Sequence, residues 1–340
     1  MENPTLSQER GSHQRICLIT YPRTASNLFV RILALEHQTD FIARSSGAGY
    51  CFLASQRYML NNGLTSKPVR AWPEDEKRQA RQLMQEDFER LSSYVELARD
   101  QQKSLFNKEH LHMMLDPVFK SRQLYGDASA GDERPWTIRL PDAPTETRSC
   151  LNHTVLPDKY LRIFWPTFLI RHPALVYPSM YRVLSDVTPQ NANIEDMLKA
   201  AINLGWVRSV YDWYTTSGKS AKGASGDARA PVVLDADDII AQPEVVYRYC
   251  EIVGLNPTKL RFTWADLEHE DHPAGERFLS TLRDSSGVDS SKVAGTVDLE
   301  GESRRWRDEF GESAAERLME MVQEAMPDYE YLRSRRLRVC

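Results

Sequence analysis

The stretch Ile16-Cys-Leu-Ile-Thr-Tyr-Pro-Arg-Thr-Ala-Ser-Asn-Leu-Phe29 decides the fold. Ile16 to Tyr21 is a short apolar, β-branched run, as a buried strand requires. Pro22 ends it, because proline has no N–H for a ladder and pushes the preceding residue toward extended geometry. Small polar residues follow, and Leu28-Phe-Val-Arg-Ile-Leu-Ala-Leu35 then has helical composition and length. A strand–loop–helix of this kind leaves the first helical N–H groups unpaired and aimed into the loop. With the hydroxyls of Thr24 and Ser26 and the cation of Arg23, the loop reads as an anion site. It reads equally as an ordinary connection with Thr24 or Ser26 as N-cap. No Gly-x-x-x-x-Gly-Lys pattern is present.

Tyr21-Pro-Arg-Thr-Ala-Ser-Asn-Leu28 resembles the 5′-phosphosulfate loop of sulfotransferases that use 3′-phosphoadenosine 5′-phosphosulfate (PAPS). The common form there is Tyr-Pro-Lys-Ser-Gly-Thr-Thr-Trp. Arg23 keeps the charge of the usual lysine. Ala25 replaces a glycine, which is harmless at negative φ and strained at positive φ. A second segment, Leu161-Arg-Ile-Phe-Trp-Pro-Thr-Phe-Leu-Ile170, is another apolar strand, and it runs into Arg171-His-Pro. In the family a strand-end Arg and a Ser eight positions later bind the 3′-phosphate, and Arg171 and Ser179 have that spacing. At 3.6 residues per turn, bringing both onto one phosphate calls for unwinding near Pro173. The competing reading of Arg171 is a strand-end arginine paired with a surface carboxylate.

Phe106-Asn-Lys108-Glu109-His110-Leu111 is similar to the Lys-x-His-Leu segment that carries the family's catalytic histidine. His112, His153 and His172 read as packed, hydrogen-bonded residues. Gly301-Glu-Ser-Arg304-Arg305-Trp306-Arg-Asp-Glu-Phe310 and the helical run after it match the family's closing Trp-Lys-x-x-Phe and C-terminal helix. The Arg-Lys-Gly expected before the Trp is absent, and Lys292 or Arg304 stands in for it. Val232-Val-Leu-Asp-Ala-Asp-Asp238 matches a strand and acidic turn, with Ala236-Asp-Asp where Tyr-Glu-Asp is usual. The resemblance runs from about residue 15 to 332, in order and spacing.

That resemblance implies a single α/β domain over 1–340: a central parallel sheet flanked by helices, with the core at about 15–332. Residues 1–13 form a flexible N-terminus and 216–231 a loop. It also implies an enzyme with PAPS as co-substrate and a small hydroxyl or phenol acceptor, and it allows a homodimer. Arg23, Thr24, Ala25, Ser26 and Asn27 take the 5′-phosphosulfate; Arg171 and Ser179, with Lys292 or Arg304, take the 3′-phosphate. His110 is the general base and Lys108 neutralises charge on the bridging oxygen. Glu36 is a rival base and Glu109 a weaker one.

Bulk properties agree. With 43 basic and 48 acidic residues in 340, the net charge of −5 gives no footprint for nucleic acid. No apolar run approaches a membrane span, and the first residues are polar, so neither membrane nor secretory signal is expected. Five scattered cysteines (17, 51, 150, 250 and 340) without metal or disulfide spacing fit a cytoplasmic location. No metal is expected. Asn152-His-Thr is a glycosylation sequon by pattern only. Residues 73–103 read as a charged amphipathic helix and 122–150 as a surface excursion. Gly218-Lys-Ser220 imitates a P-loop end without a strand before it. An aromatic acceptor pocket is expected from Tyr50, Phe52, Met113, Met114, Trp206, Tyr211, Trp213 and Tyr214, residues that read equally as core. The alternatives are a sulfotransferase-fold enzyme with non-sulfating chemistry, a nucleotide kinase or NTPase, and a non-catalytic nucleotide-binding module.

Overall fold

The structure, a computed structural model, describes residues 13–43, 49–140, 148–188, 193–217, 230–264 and 285–339. The strands β1 (Arg15–Thr20), β2 (Phe41–Ala43), β3 (Ser104–His110), β4 (Trp165–Ile170) and β5 (Val232–Asp235) form one sheet in the order β2-β3-β1-β4-β5. Every pairing is parallel. The helices that matter below are α1 (Ser26–Leu33), α2 (Glu74–Asp100), α3 (Pro173–Val187), α4 (Leu204–Ser217), α5 (Pro243–Val253), α6 (Leu299–Phe310) and α7 (Glu312–Arg333).

Both faces of β1 are buried, which is why its sequence is apolar without alternation. Ile16 and Leu18 pack with Phe29 and Ile32 of α1 and Tyr249 of α5. Cys17 and Ile19 face the other layer, with Phe88 of α2, Val176 of α3, Trp213 of α4 and Val322 of α7. The expected parallel sheet flanked by helices is therefore observed. No helix among the described residues is long and apolar enough to cross a membrane.

Several local expectations change. The loop placed at 216–231 begins later, because α4 runs to Ser217; 218–229, with the Gly-Lys-Ser of the false P-loop, lie outside the described residues. So do residues 1–12 of the N-terminus. Within 122–150, the stretch up to residue 140 runs largely over the surface, as expected, but is anchored by buried Ala130, Trp136 and Ile138. Trp136 is buried edge-on against Trp72, 5.9 Å between rings, and its backbone N–H donates to Asp116 Oδ1 at 3.1 Å. Trp206, Tyr211, Trp213 and Tyr214 are core, filling the layer between α4 and the sheet.

The topology places the site. After β1 the chain goes out to β2 and returns through β3; after β3 it crosses to β4 and β5 on the other side. The adjacent strands β1 and β3 therefore send their connections in opposite directions. Such a reversal marks the carboxyl ends of these strands as the place where open α/β sheets bind ligands.

Candidate active site

The loop after β1 lies at these carboxyl ends. Arg23 and Ala25 hold left-handed φ angles of 68° and 60°. Each costs a non-glycine residue roughly 1–2 kcal/mol. Burying Phe29, Ile32 and Leu33 of α1 offsets that, at roughly 1.5–3 kcal/mol per side chain. Ala25 is the N-cap of α1 and has no side-chain oxygen, and no side chain caps the helix. This answers the N-cap alternative: neither Thr24 nor Ser26 serves. The Thr24 hydroxyl turns inward to the Tyr21 carbonyl at 3.0 Å and to the Thr20 hydroxyl. The first intrahelical bond is Phe29 N–H to Ala25 O, at 2.9 Å. The N–H groups of Ser26, Asn27 and Leu28 precede it, the arrangement that binds anions at helix N-termini.

Arg171 follows β4 directly. The Tyr21 hydroxyl donates to its carbonyl at 2.9 Å and accepts from its N–H at 3.0 Å, which locks the two loops together. The Arg171 guanidinium makes no ion pair among the described residues. Its Nη1 donates to Arg23 O at 3.2 Å and its Nη2 to Lys292 O at 2.8 Å. Its Nε is buried without a hydrogen-bond partner. The paired-carboxylate reading therefore fails. Arg23 Nε donates to Ser179 Oγ at 2.9 Å, so Arg23, Arg171 and Ser179 are one cluster. The helix is not unwound near Pro173: α3 is continuous from Pro173, with His172 as N-cap accepting from Ala174 N–H. Arg171 lies before the helix and Ser179 two turns along it, and Arg23 bridges them.

Lys292 reaches the cluster through its backbone, while its side chain lies 3.9 Å from Asp289. Arg304 is exposed on α6, 3.9 Å from Asp298. The loop ahead of α6 is tied down by Asp237, which accepts from the N–H groups of Ala294 and Gly295.

On the other side of the loop, β3 presents Lys108 and His110 on one face, since strand side chains alternate. Register places Lys108 beside Leu18 and His110 beside Thr20. Lys108 Nζ donates to Asn27 Oδ1 at 2.6 Å and sits 4.3 Å over the Tyr50 ring. Burial lowers its pKa to about 7, although the Glu109 charge pulls the other way. His110 Nε2 lies 2.8 Å from the Tyr50 hydroxyl, and the two rings are 4.5 Å apart. Burial, then His112 and Lys108, hold the imidazole well below its usual pKa, so it is neutral. Glu109 points to the opposite face. There Oε1 accepts from Cys51 N–H at 2.6 Å, and burial pushes its pKa up to about 8. Glu36 follows the far end of α1. Eight residues at 1.5 Å each put it about 12 Å from the N-terminus. It is half exposed, 3.8 Å from His37.

Sequence reasoning took Tyr50 only as a pocket wall and did not pair Asn27 with Lys108. Among the described residues no His, Cys, Asp and Glu cluster is arranged to hold a metal ion.

No protein-family model matches the chain. It is 38% identical to sulfotransferase ppzF of Metarhizium majus (strain ARSEF 297), over 98% of this chain and 99% of that protein. It is 37% identical to sulfotransferase ppzF of Metarhizium rileyi (strain RCEF 4871), with the same coverage of each. Among solved structures it is similar to the sulfotransferase domain of the Synechococcus PCC 7002 olefin synthase, at 12% identity and a TM-score of 0.37 over 94% of this chain and 98% of that one. It is also similar to the sulfotransferase domain from the curacin biosynthetic pathway, at 13% identity and a TM-score of 0.40 over 88% and 98%. The two fungal relatives show the family. The chain belongs to the sulfotransferases.

Proposed function

We propose that this sulfotransferase moves a sulfuryl group from PAPS to a hydroxyl of a small organic acceptor, with His110 as general base. One observation carries the reading: the uncapped N-terminus of α1 is joined through Asn27 to Lys108 on the neighbouring strand, which also carries His110. Sulfuryl transfer, like phosphoryl transfer, asks mainly for positioning and charge stabilisation. The N–H groups of residues 26–28 receive the 5′-phosphosulfate. Arg171 and Ser179, joined by Arg23, receive the 3′-phosphate. Lys108 faces the bridging oxygen, where charge grows as the sulfur leaves. The neutral imidazole takes up the acceptor's proton as its oxygen bonds to sulfur, and the electron pair of the broken S–O bond remains on the 5′-phosphate.

Calorimetry tests the donor assignment. The desulfated product, 3′-phosphoadenosine 5′-phosphate (PAP), should bind more tightly than adenosine 5′-phosphate. Binding above pH 7 should also take up protons. The free protein holds the Lys108 pKa at about 7, so the amine is largely neutral at pH 8. Anionic phosphate beside it favours the ammonium form and raises that pKa. Titrations at pH 8 in buffers of different ionisation enthalpy read the uptake directly. Equal affinity for the two nucleotides would remove the 3′-phosphate site from the account.

A further inference from the structure

The base nitrogen of His110 is engaged by a side chain to which no role has been given. Tyr50 is buried, and its hydroxyl lies 2.8 Å from Nε2. The other imidazole nitrogen, Nδ1, is buried without a hydrogen-bond partner, with the His112 ring stacked 5.7 Å away. A neutral imidazole carries one proton. Placing it on Nδ1 leaves Nε2 as acceptor for the phenol O–H. A phenol oxygen both donates and accepts, which is the capacity a relay needs. Lys108 Nζ over the ring face stabilises electron density on the phenol.

We propose that Tyr50 is a proton relay: the acceptor's hydroxyl donates to the Tyr50 oxygen, and Tyr50 passes its own proton to His110. This rests on the reading of His110 as base in sulfuryl transfer. In the step, the acceptor O–H bond breaks and a new O–H bond forms on Tyr50. The original Tyr50 O–H bond breaks and Nε2–H forms. The acceptor oxygen bonds to sulfur, and the sulfur–oxygen bond to the 5′-phosphate breaks, with its electron pair staying on PAP. Burial pushes the phenol's pKa up, which disfavours a free phenolate and favours moving both protons together. Lys108, over the Tyr50 ring and bonded to Asn27, ties the relay to the donor loop.

The test uses the full chain, PAPS and 4-nitrophenol in single turnover. Tyr50→Phe should bind PAP within about twofold of wild type and transfer at least about a hundredfold more slowly, as loss of a proton-transfer group predicts. The wild-type rate against the deuterium fraction of the solvent should curve, because two protons are in flight, and the plot for Tyr50→Phe should be straight. A straight wild-type plot overturns the relay without any variant. Wild-type transfer by Tyr50→Phe, with His110→Ala inactive, also overturns it and leaves the base in place. Full activity in both variants removes the base as well. A sulfuryl group found on Tyr50 itself by mass spectrometry would make the phenol an acceptor and end the relay.

Discussion

His110→Ala should leave PAP affinity near wild type and lower turnover by about two to four orders of magnitude, the usual worth of a general base. The separation follows from geometry. The described contacts of His110 are with Tyr50 and the His112 ring, and none is with Arg23, Arg171 or Ser179. Glu36→Ala is the control. That carboxylate lies at the far end of α1, paired with His37 at the surface, and its loss should change turnover by less than about twofold. Single-turnover transfer and calorimetry on both variants make the comparison. An inactive Glu36→Ala beside an active His110→Ala would move the base to a carboxylate and discard the β3 assignment.

Arg171→Ala should weaken PAP by about 1.5–3 kcal/mol, the range for hydrogen bonds to charged groups. Binding of adenosine 5′-phosphate should change far less, because that nucleotide has no 3′-phosphate. Arg171 has guanidinium capacity to spare: its partners are two backbone carbonyls, and Nε is buried without one. The variant also breaks the tie between Arg23 O and the strand-end loop. A melting curve therefore accompanies the titration, since a loss of binding with unfolding would not identify a phosphate ligand. Equal weakening of both nucleotides in a folded variant would show that Arg171 shapes the loop and does not read the 3′-phosphate.

What the sequence made legible was local. Ile16 to Tyr21 announces a strand because a parallel strand covered on both faces is apolar throughout. The loop after it is visible through Pro22 and the small residues. Long-range partnerships left little trace. Lys108 meets Asn27 across 81 residues and Tyr50 meets His110 across 60, through the pairing of β1 with β3 and the path of the loop after β2. Neither follows from spacing. The left-handed φ of Ala25 was similarly hidden: alanine in a glycine place signals strain only once the backbone is known. The aromatic run of α4 was read both as pocket wall and as core. Helix packing against β4 decided for core, with Trp213 wholly buried.

The central claim is that this chain transfers a sulfuryl group from PAPS to an organic hydroxyl. Incubating the protein with PAPS labelled in the sulfuryl group and a panel of phenols and alcohols tests it most directly. The account predicts labelled sulfate ester and PAP in equal amounts, dependent on acceptor and lost in His110→Ala. PAPS bound but unchanged with every acceptor, or PAP released with only free sulfate, would contradict it.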